Sequence, residues 1–315
     1  MTSIPTPLQA SVIVPCHNSA RHLPDLLEAL EKQSFRHPWE LIIVNDASSD
    51  QTAQVVRDHS NRFAHLNWIE NPTNQGVSAS RNTAATQAQS ENLIFIDSDD
   101  IPNHTYLAAM LEALETNVFV CASIDYARLN PDWIVTAFAR ELDGGLHHPV
   151  APYANGGMIG IKKTVFAGLN GFDTTLPAFE DIDLCWRVFK LGHRLQPVNN
   201  AVLEYRVNPD LRALYRKGHR DSLPNARVLR KNFPGYVPPW MCLPGLVARA
   251  VMITLSTLTL FNRGRFARWL LACAYWRGDL EGCLHERYLY LLPHGHSPRE
   301  TNSSLTSSPT SSPQI

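Results

Sequence analysis

The sequence lacks the signatures of several common classes of protein. The closest two of its six cysteines, Cys273 and Cys283, lie ten residues apart, which excludes a CxxC zinc cassette and a short-spaced disulfide framework. Residues 1–10 contain neither the basic segment nor the apolar run of a secretory signal, and we treat them as an N-terminal extension. Unpaired thiols and the missing signal together predict a cytoplasmic protein.

No excess of charge marks the 315-residue chain as a whole. Its 28 Lys and Arg against 29 Asp and Glu give a net charge of −1, which argues against nucleic acid as a partner. The balance is uneven, because residues 206–300 hold 15 Lys or Arg and only 6 Asp or Glu. Two interpretations of this basic segment stay open: contact with an anionic partner such as a membrane surface, a phosphate or a polyanion, and an ordinary solvated face.

A long apolar run is also missing. The uncharged, mostly apolar segment 250–261 has 12 residues. As a helix it would reach roughly 18 Å, short of a hydrocarbon core of ~30 Å, so we expect no membrane span. Arg263, Arg265 and Arg268 follow with Phe266 between them, a pattern typical of a helix lying on a membrane. A helical cap packed over the rest of the protein explains the same pattern.

Short apolar runs alternate with helical patterns over the first hundred residues. Leu23, Leu26, Leu27 and Leu30 recur at helical spacing, which predicts a helix with one buried face. The alternation of strand and helix predicts a mostly parallel, Rossmann-like α/β sheet with helices on its faces. The predicted strands are 11–14, 41–44, 66–69, 93–96, 118–124 and 198–207, and the predicted helices are 23–30, one around Val55 that Ser49 or Asp50 caps, 79–89, 105–116 and 182–191. Residues 140–160 are expected to form loops.

Three predicted strands end in polar residues. These are His17 and Asn18, then Asn45 and Asp46, and finally the run 97–100. In open parallel sheets, ligands bind beyond the carboxyl ends of the strands, so these groups predict a nucleotide site at that edge. Neither GxGxxG nor GxxxxGK[ST] follows a strand, which argues against a common dinucleotide site or a P-loop.

Two acidic clusters are candidates for chemistry. Asp97, Asp99 and Asp100 repel one another, and Mg²⁺ or Mn²⁺ would relieve that repulsion; a solvated acidic loop is the alternative. Glu180 and Asp181 precede a predicted helix, where a carboxylate either caps the helix or acts as a positioned base. Within that helix, Asp183 and Arg187 have the spacing of a structural ion pair.

Five segments, in this order, resemble motifs of family 2 glycosyltransferases, which have the GT-A fold. The resemblance extends from residue 11 to about 207. Asn45 stands in place of the first Asp of the VDDxSxD motif, and Ser80 is inserted in the usual A-R pair. The segments are Ser11–Asn18, Val44–Asp50, Asn74–Gly76 with Ala79–Asn82, Phe95–Asp100, and Gly171–Asp173 with Glu180–Leu184.

The resemblance implies a role for each matching residue. The donor would be a nucleotide-sugar, most often a UDP-sugar, and the reaction a single displacement that inverts the sugar carbon. The nucleotide site would comprise Pro15, His17 and Asp46 near the base, Arg81 near the ribose or diphosphate, and Asp97 on the ribose. Asp99, with Asp97, would hold Mg²⁺ or Mn²⁺, and Asp181 would be the general base with Glu180 beside it. We place Asn155, Gly156 and Gly157 on the acceptor side, where glycine lets the backbone approach; a plain turn is the alternative.

The sequence departs from the family pattern at two further points. Tyr205 stands where many members carry a metal-binding His, and the QxxRW signature of processive synthases is absent. The second departure predicts transfer of one sugar per encounter. We expect the acceptor to be a saccharide or lipid-linked saccharide of cell-surface polysaccharide or glycolipid assembly, with peripheral contact at the inner face of the membrane left open.

These expectations divide the chain into four parts. After the N-terminal extension at 1–10, a GT-A domain at 11–207 would comprise a nucleotide-binding half at 11–100 and an acceptor half at 101–207. A helical, basic and apolar C-terminal region at 208–296 and a disordered tail at 297–315 would follow. Two other functions stay open: a non-catalytic glycosyltransferase-like binding protein, and a sugar nucleotidyltransferase, although the turn after the first strand has no glycine.

Overall fold

The computed structural model describes residues 7–138, 148 and 150–295. Within them, eight strands form one sheet in the order β3-β2-β1-β4-β7-β6-β8-β5. The strands are β1 (Ser11–Cys16), β2 (Glu40–Asp46), β3 (Leu66–Asn71), β4 (Asn92–Phe95), β5 (Ile101–Pro102), β6 (Phe119–Asp125), β7 (Ile159–Lys162) and β8 (Gln196–Glu204). The predicted α/β class with a helical C-terminal region is confirmed.

The sheet is mixed. Strands β3, β2, β1 and β4 run parallel to one another, as the alternating pattern predicts, and β8 is parallel to β6. Strand β7 pairs antiparallel with both β4 and β6, and the edge strand β5 is antiparallel to β8. Every residue of β1 and β2 is buried, because helices cover both faces of the sheet there; this explains their nearly continuous apolar sequences.

Helices flank the sheet and then continue alone after β8. Helix α1 buries the four leucines whose spacing predicted it, and Pro24 lies in its first turn. The helices are α1 (Leu23–Glu31), α2 (Thr52–His59), α3 (Val77–Gln87), α4 (Tyr106–Thr116), α5 (Asp132–Phe138), α6 (Lys163–Gly168), α7 (Glu180–Lys190), α8 (Leu211–Ser222), α9 (Asn225–Asn232), α10 (Leu243–Ser256) and α11 (Arg263–His285).

The predicted elements agree with the structure to within three residues at their ends. Helix α2 begins at Thr52, whose backbone N–H donates to the Asp50 carboxylate at 3.0 Å. The expectation of loops throughout 140–160 is wrong at its end, where a 3₁₀ turn at Gly156–Met158 leads into β7. Residues 139–147 and 149 lie outside the described residues, as do the N-terminal residues 1–6 and the tail predicted to be disordered.

The C-terminal helices pack on one another and on the end of the domain. In the part of the chain that the structure describes, no helix has both the length and the hydropathy needed to cross a membrane. Helix α10 is held to α11 by the Arg249–Asp279 ion pair at 2.6 Å and by the indole N–H of Trp276, which donates to the Leu246 carbonyl. The division of the chain at residues 207 and 296 stays a prediction.

Candidate functional site

A pocket of about 250 Å³ opens at the carboxyl edge of the parallel strands. It brings together polar residues that follow β1, β2 and β4, which is the grouping expected from the topology. Five of the six residues assigned to the nucleotide and metal sites line this pocket, and Arg81 is the exception. The lining consists of Pro15, Cys16, His17, Asp46, Asn74, Gly76, Val77, Ser80, Asp97, Ser98 and Asp99.

Asp46 organises the turn that leads into α3. Its carboxylate accepts hydrogen bonds from the Asn71 side chain at 2.8 Å and from the backbone N–H groups of Gln75 and Gly76 at 2.9 and 2.8 Å. Gly76 has a φ of 86°, a conformation that glycine adopts without strain. Asp46 therefore shapes the wall of the pocket, and three of its acceptor positions are already used by the protein.

His17 is fixed in one tautomer by its two neighbours. The Asp46 carbonyl lies 2.7 Å from Nδ1 and can only accept, so Nδ1 carries the proton. Nε2 then accepts from the Asn18 amide at 3.1 Å. The ring is consequently held in one orientation at the lining of the pocket, beside the end of β2.

The three carboxylates after β4 are in different environments. Asp97 is paired with Arg81, whereas burial and then the charge of Asp97 raise the pKa of Asp99 to about 6. Asp100 is buried; its Oδ1 accepts from the Arg206 backbone N–H at 2.9 Å, and its Oδ2 has no hydrogen-bond partner among the described residues. Burial and the charge of Asp97 raise the pKa of Asp100 well above its usual value.

These observations fit a divalent cation beside Asp97 and Asp99. A cation would offset the repulsion that raises the pKa of Asp99, and hard carboxylate oxygens are the ligands that Mg²⁺ and Mn²⁺ prefer. Among the described residues, no three His, Cys, Asp or Glu side chains converge on one point to form a complete metal site. Water and substrate phosphate oxygens would therefore fill most of the coordination shell.

Arg81 connects the pocket to the start of α7. Only 3% of its side chain is exposed, and its guanidinium lies 2.5 Å from Asp97 Oδ1 and 3.3 Å from Glu180 Oε1. The guanidinium also lies over the ring of Phe172 at 5.2 Å. Because both carboxylates hold it, Arg81 is buried between the pocket and α7 and is absent from the pocket lining.

Gly156 and Gly157 lie directly against this ion pair. A Cβ at Gly156 would be 2.3 Å from Arg81 Nη1, and one at Gly157 would be 2.5 Å from Asp97 Cγ. The backbone N–H of Gly156 donates to Asp181 Oδ2 at 3.1 Å. Only glycine fits at these two positions, because the backbone passes close to Arg81, Asp97 and Asp181.

Glu180 and Asp181 occupy the first turn of α7. The preceding Phe179 has a φ of 62°, a left-handed conformation that strains a bulky residue and is found most often at functional sites. Burial, followed by the charge of Glu180, raises the pKa of Asp181 to about 7. A carboxyl group that titrates near neutral pH is suited to accept a proton from a hydroxyl.

Asp183 is a structural residue, as its spacing from Arg187 predicts. Its side chain is completely buried and accepts from Arg187 Nε at 2.7 Å and from Asn232 at 2.8 Å. Arg187 also donates to the carbonyls of Leu169 and Gly171, each at 2.8 Å. This network fixes the position of α7 and, with it, the two carboxylates at its start.

Tyr205 is buried near the acidic loop. Its ring packs on Tyr126 with centroids 5.5 Å apart, and burial, followed by the charge of Asp100, raises the pKa of the phenol well above its usual value. The next residue, Arg206, also contacts this loop, and its Nε donates to the Asp99 carbonyl at 3.1 Å. Sequence reasoning missed Arg206, although its place directly after the expected ligand position was a usable signal.

The six cysteines are free thiols, and all but Cys273 are buried. Burial raises the pKa of Cys16 to about 12 and that of Cys185 well above its usual value, so neither is a ready nucleophile.

Comparison with known proteins gives a consistent result. The family model described as "Glycosyl transferase family 2" matches residues 11–167. The poly(ribitol-phosphate) beta-N-acetylglucosaminyltransferase TarS of Staphylococcus aureus is 36% identical over 118 residues, which are 36% of this chain and 20% of TarS. An uncharacterized glycosyltransferase of Haemophilus influenzae is 31% identical over 186 residues, covering 57% of this chain and 62% of that protein. The chain therefore spans less than two thirds of the length of these relatives.

Solved structures share the fold. The mannosyltransferase PcManGT from Pyrobaculum calidifontis, in complex with GDP-Man and Mn²⁺, superposes with a TM-score of 0.65 at 20% identity, covering 89% of this chain and 90% of that one. The S. aureus TarS 1–349 structure in complex with UDP gives a TM-score of 0.51 at 22% identity, with coverages of 88% and 91%. At these identities the likeness concerns the fold.

Proposed function

The chain belongs to glycosyl transferase family 2, and from that premise we propose that it transfers one sugar from a nucleotide-sugar to an acceptor hydroxyl. The observation that carries the proposal is the contact of Arg81 with both Asp97 and Glu180. Through it, a carboxylate of the pocket and the carboxylates at the start of α7 belong to one charged network. A donor in the pocket would therefore lie next to a group able to accept a proton.

The donor we propose is a UDP-sugar that occupies the pocket between His17, Asp46 and Asp97. TarS has been crystallised with UDP and with UDP-GlcNAc, which supports this choice. PcManGT has been crystallised with GDP-Man, so guanine nucleotides belong in the same test. The imidazole of His17 and the backbone around Asp46 would contact the base, since both line the pocket and His17 Nδ1 lies 2.7 Å from the Asp46 carbonyl.

Asp97 and Asp99 are the residues that would hold Mg²⁺ or Mn²⁺. The cation would stabilise the negative charge on the diphosphate leaving group. The complex of PcManGT with Mn²⁺ supports a metal in this fold. Arg81 keeps Asp97 in place from the other side, and Arg206 holds the backbone of Asp99.

Asp181 is the proposed general base, and the mechanism is inverting. The acceptor hydroxyl attacks the sugar carbon from the side opposite the diphosphate, and the bond to the diphosphate breaks as the new glycosidic bond forms. Asp181 takes the hydroxyl proton, for which its raised pKa prepares it. Glu180 lies beside Asp181 and is paired with Arg81, so Asp181 is the carboxylate that is available to accept the proton. A single base of this kind suits a single displacement.

The acceptor class is proposed from the relatives and the charge of the chain. TarS is named for transfer to poly(ribitol-phosphate), which supports a role in cell-surface polysaccharide or glycolipid assembly with a saccharide or lipid-linked saccharide as acceptor. We place the reaction in the cytoplasm. We also keep Asn155, Gly156 and Gly157 as residues of the acceptor side.

The test is binding and slow hydrolysis of a panel of UDP- and GDP-sugars, with and without Mn²⁺. Wild type is compared with Asp99→Asn, Asp181→Asn and the matched control Asp58→Asn, which removes an exposed carboxylate on α2. We expect one donor to bind more tightly with Mn²⁺, Asp99→Asn to lose this gain, and Asp181→Asn to lose hydrolysis while keeping donor affinity.

Other outcomes identify the alternative functions. Donor binding with no turnover in any variant, together with an unchanged cellular role of Asp99→Ala, would indicate a binding protein. Release of pyrophosphate from a nucleoside triphosphate and a sugar phosphate would indicate a nucleotidyltransferase. Failure of every nucleotide-sugar to bind would refute the assignment of the pocket.

A further inference from the structure

The apolar side chains that the fold leaves exposed are concentrated in one region. Of the fifteen large apolar side chains that are exposed among the described residues, thirteen lie between Leu243 and Leu292. A monomeric protein seldom exposes a large contiguous apolar area without a partner for it. The C-terminal helices therefore carry a surface that the fold itself does not explain.

Helix α10 and the turn after it form the main part of this surface. Val247, Val251 and Leu255 repeat every four residues and so lie on one side of α10, exposed by more than half. Leu258 and Phe261, in the turn before α11, are exposed by 75% and 79%. We call these five residues, with Met252, the C-terminal face.

The opposite side of α10 is firmly attached, so the exposure is not that of a loose helix. Arg249 pairs with Asp279 at 2.6 Å, and the indole N–H groups of Trp269 and Trp276 donate to carbonyls of α10 at 3.0 and 2.8 Å. The backbone N–H of Leu243 donates to the Tyr290 carbonyl at 2.8 Å. That bond brings the exposed Leu291 and Leu292 next to the start of the same helix.

Charge around the C-terminal face has one sign. No Asp or Glu occurs between Asp221 and Asp279, whereas eight Lys or Arg do. Arg263 lies over the ring of Trp133 at 4.2 Å, and Arg265 lies over Phe261 at 6.0 Å. Within the described residues, neither guanidinium has a carboxylate partner within ion-pair distance. Exposed cations thus stand directly beside exposed apolar side chains.

We propose that the C-terminal face docks on an anionic lipid bilayer, with Leu258 and Phe261 entering the interface and Arg263 and Arg265 contacting lipid phosphates. Apolar and aromatic residues bordered by Arg are the pattern of helices that lie in the plane of a membrane interface. Anionic lipids attract each nearby Lys or Arg, which matches a stretch free of carboxylates. In a symmetric dimer through this face, by contrast, the same arginines would meet arginines, with no carboxylate from residues 222–278 to pair with them.

The proposal is tested by cosedimentation of the full chain with vesicles. Vesicles of phosphatidylcholine alone are compared with vesicles that contain ~30% phosphatidylglycerol, which gives a strongly anionic surface. Both kinds are tested at low and at high NaCl. We expect binding to the anionic vesicles, at least tenfold weaker binding to neutral ones, and release by salt, because salt screens exposed charges.

Two pairs of variants separate the apolar and the charged contributions. Vesicle binding should weaken about tenfold or more in the double variant Leu258→Glu, Phe261→Glu. It should weaken by a similar factor in the double variant Arg263→Glu, Arg265→Glu. The matched controls are Leu191→Glu, an exposed leucine after α7, and Arg57→Glu, an exposed arginine on α2, and both should bind like wild type. A circular dichroism spectrum and a urea midpoint like those of wild type would show that each variant is folded.

Three results would overturn the proposal. The first is absence of wild-type binding to anionic vesicles, and the second is binding by the Arg263→Glu, Arg265→Glu variant that equals wild type. The third is a dimer in light scattering that the Leu258→Glu, Phe261→Glu variant dissociates, while wild type does not bind vesicles. Vesicle binding needs no donor and no metal, and the donor assay needs no vesicles. Failure of the docking surface is therefore distinguishable from failure of the proposed transfer.

Discussion

The carboxylate of Asp97 and the guanidinium of Arg81 lie 2.5 Å apart, and the second contact of the same guanidinium is Glu180, at 3.3 Å. Asp97 follows β4 at the edge of the pocket, whereas Glu180 begins α7. The ion pair therefore couples the position of the pocket carboxylate to that of the helix that carries Asp181.

Replacing Arg81 should impair turnover more than donor binding. Arg81→Lys retains the positive charge but has a single ammonium group, which cannot reach both Asp97 and Glu180 in the fork geometry of a guanidinium. We expect kcat to fall about 10- to 100-fold, as is usual for residues that orient active groups from behind. Steady-state kinetics would show it, with Arg57→Lys as the control; a change confined to KM would contradict the positioning role.

A methyl group at residue 157 should disturb Asp97. In Gly157→Ala, the new Cβ would start 2.5 Å from Asp97 Cγ, so the carboxylate must move. We expect weaker Mn²⁺ binding and about tenfold or greater loss of activity. Gly168→Ala is the matched control, because nothing lies within 4 Å of a Cβ at that position. Equal activity of the two alanine variants would show that Asp97 has more freedom than its contacts indicate.

Activity should rise with pH up to about 7 and then level off. Asp181 must be ionised to accept a proton, and its pKa is raised to about 7 by burial and by the charge of Glu180. In Glu180→Gln that second contribution disappears, so the acid limb of kcat/KM should move to lower pH. An unmoved limb in Glu180→Gln, with Asp58→Asn as control, would assign the titration to another group.

The same shift has a consequence for stability. Because Asp181 binds its proton more tightly when folded, the free energy of unfolding contributed by this group falls as pH rises from 3.8 towards about 7. Asp181→Asn removes that dependence. The check is denaturant titration of both proteins at pH 5 and pH 8. The free energy of unfolding should change less between these two pH values in the variant than in wild type.

Metal affinity should depend on the protonation of Asp99. Burial and the charge of Asp97 raise the pKa of Asp99 to about 6, and a metal binds the ionised carboxylate. We therefore expect Mn²⁺ affinity to fall about tenfold per pH unit below 6, and a chelator to abolish turnover at pH 7.5 until Mn²⁺ is restored. Calorimetry with Asp99→Asn, which should lack this dependence, is the control; full activity in the chelator would argue against a metal.

Arg187 should matter for folding and not for chemistry. Arg187→Met leaves the buried carboxylate of Asp183 with only its bonds to Asn232 and Lys231. Loss of one member of a buried ion pair costs about 3 kcal/mol of unfolding free energy. A lowered urea midpoint with near-normal turnover in the folded fraction is expected; a stable but inactive variant would place Arg187 in the reaction.

The arrangement of the pocket was predictable because it follows from topology. Once β1, β2 and β4 are parallel and adjacent, His17, Asp46 and Asp97 must meet at one edge, whatever the loops do. The spacing of Asp183 and Arg187 likewise specifies their contact, because residues four apart share a helix face. These parts of the structure depend on local periodicity and on a general rule for parallel sheets.

The contacts across the chain were not predictable in the same way. Arg81 and Glu180 are 99 residues apart, and no local pattern pairs them. Strand β7 was missed because Gly160 interrupts a short apolar run, although its missing side chain is what allows close packing on Val120. Arg206 contacts Asp99, which is 107 residues away in the sequence, and no local pattern predicts that contact.

The stretch between Asp221 and Asp279 contains no histidine as well as no carboxylate. Its charge is consequently constant over the pH range in which Asp181 and Asp99 titrate. If the C-terminal face binds anionic lipid as proposed, a change of pH across that range would alter the ionisation of the pocket carboxylates and leave in place the arginine charge that attracts the protein to the lipid.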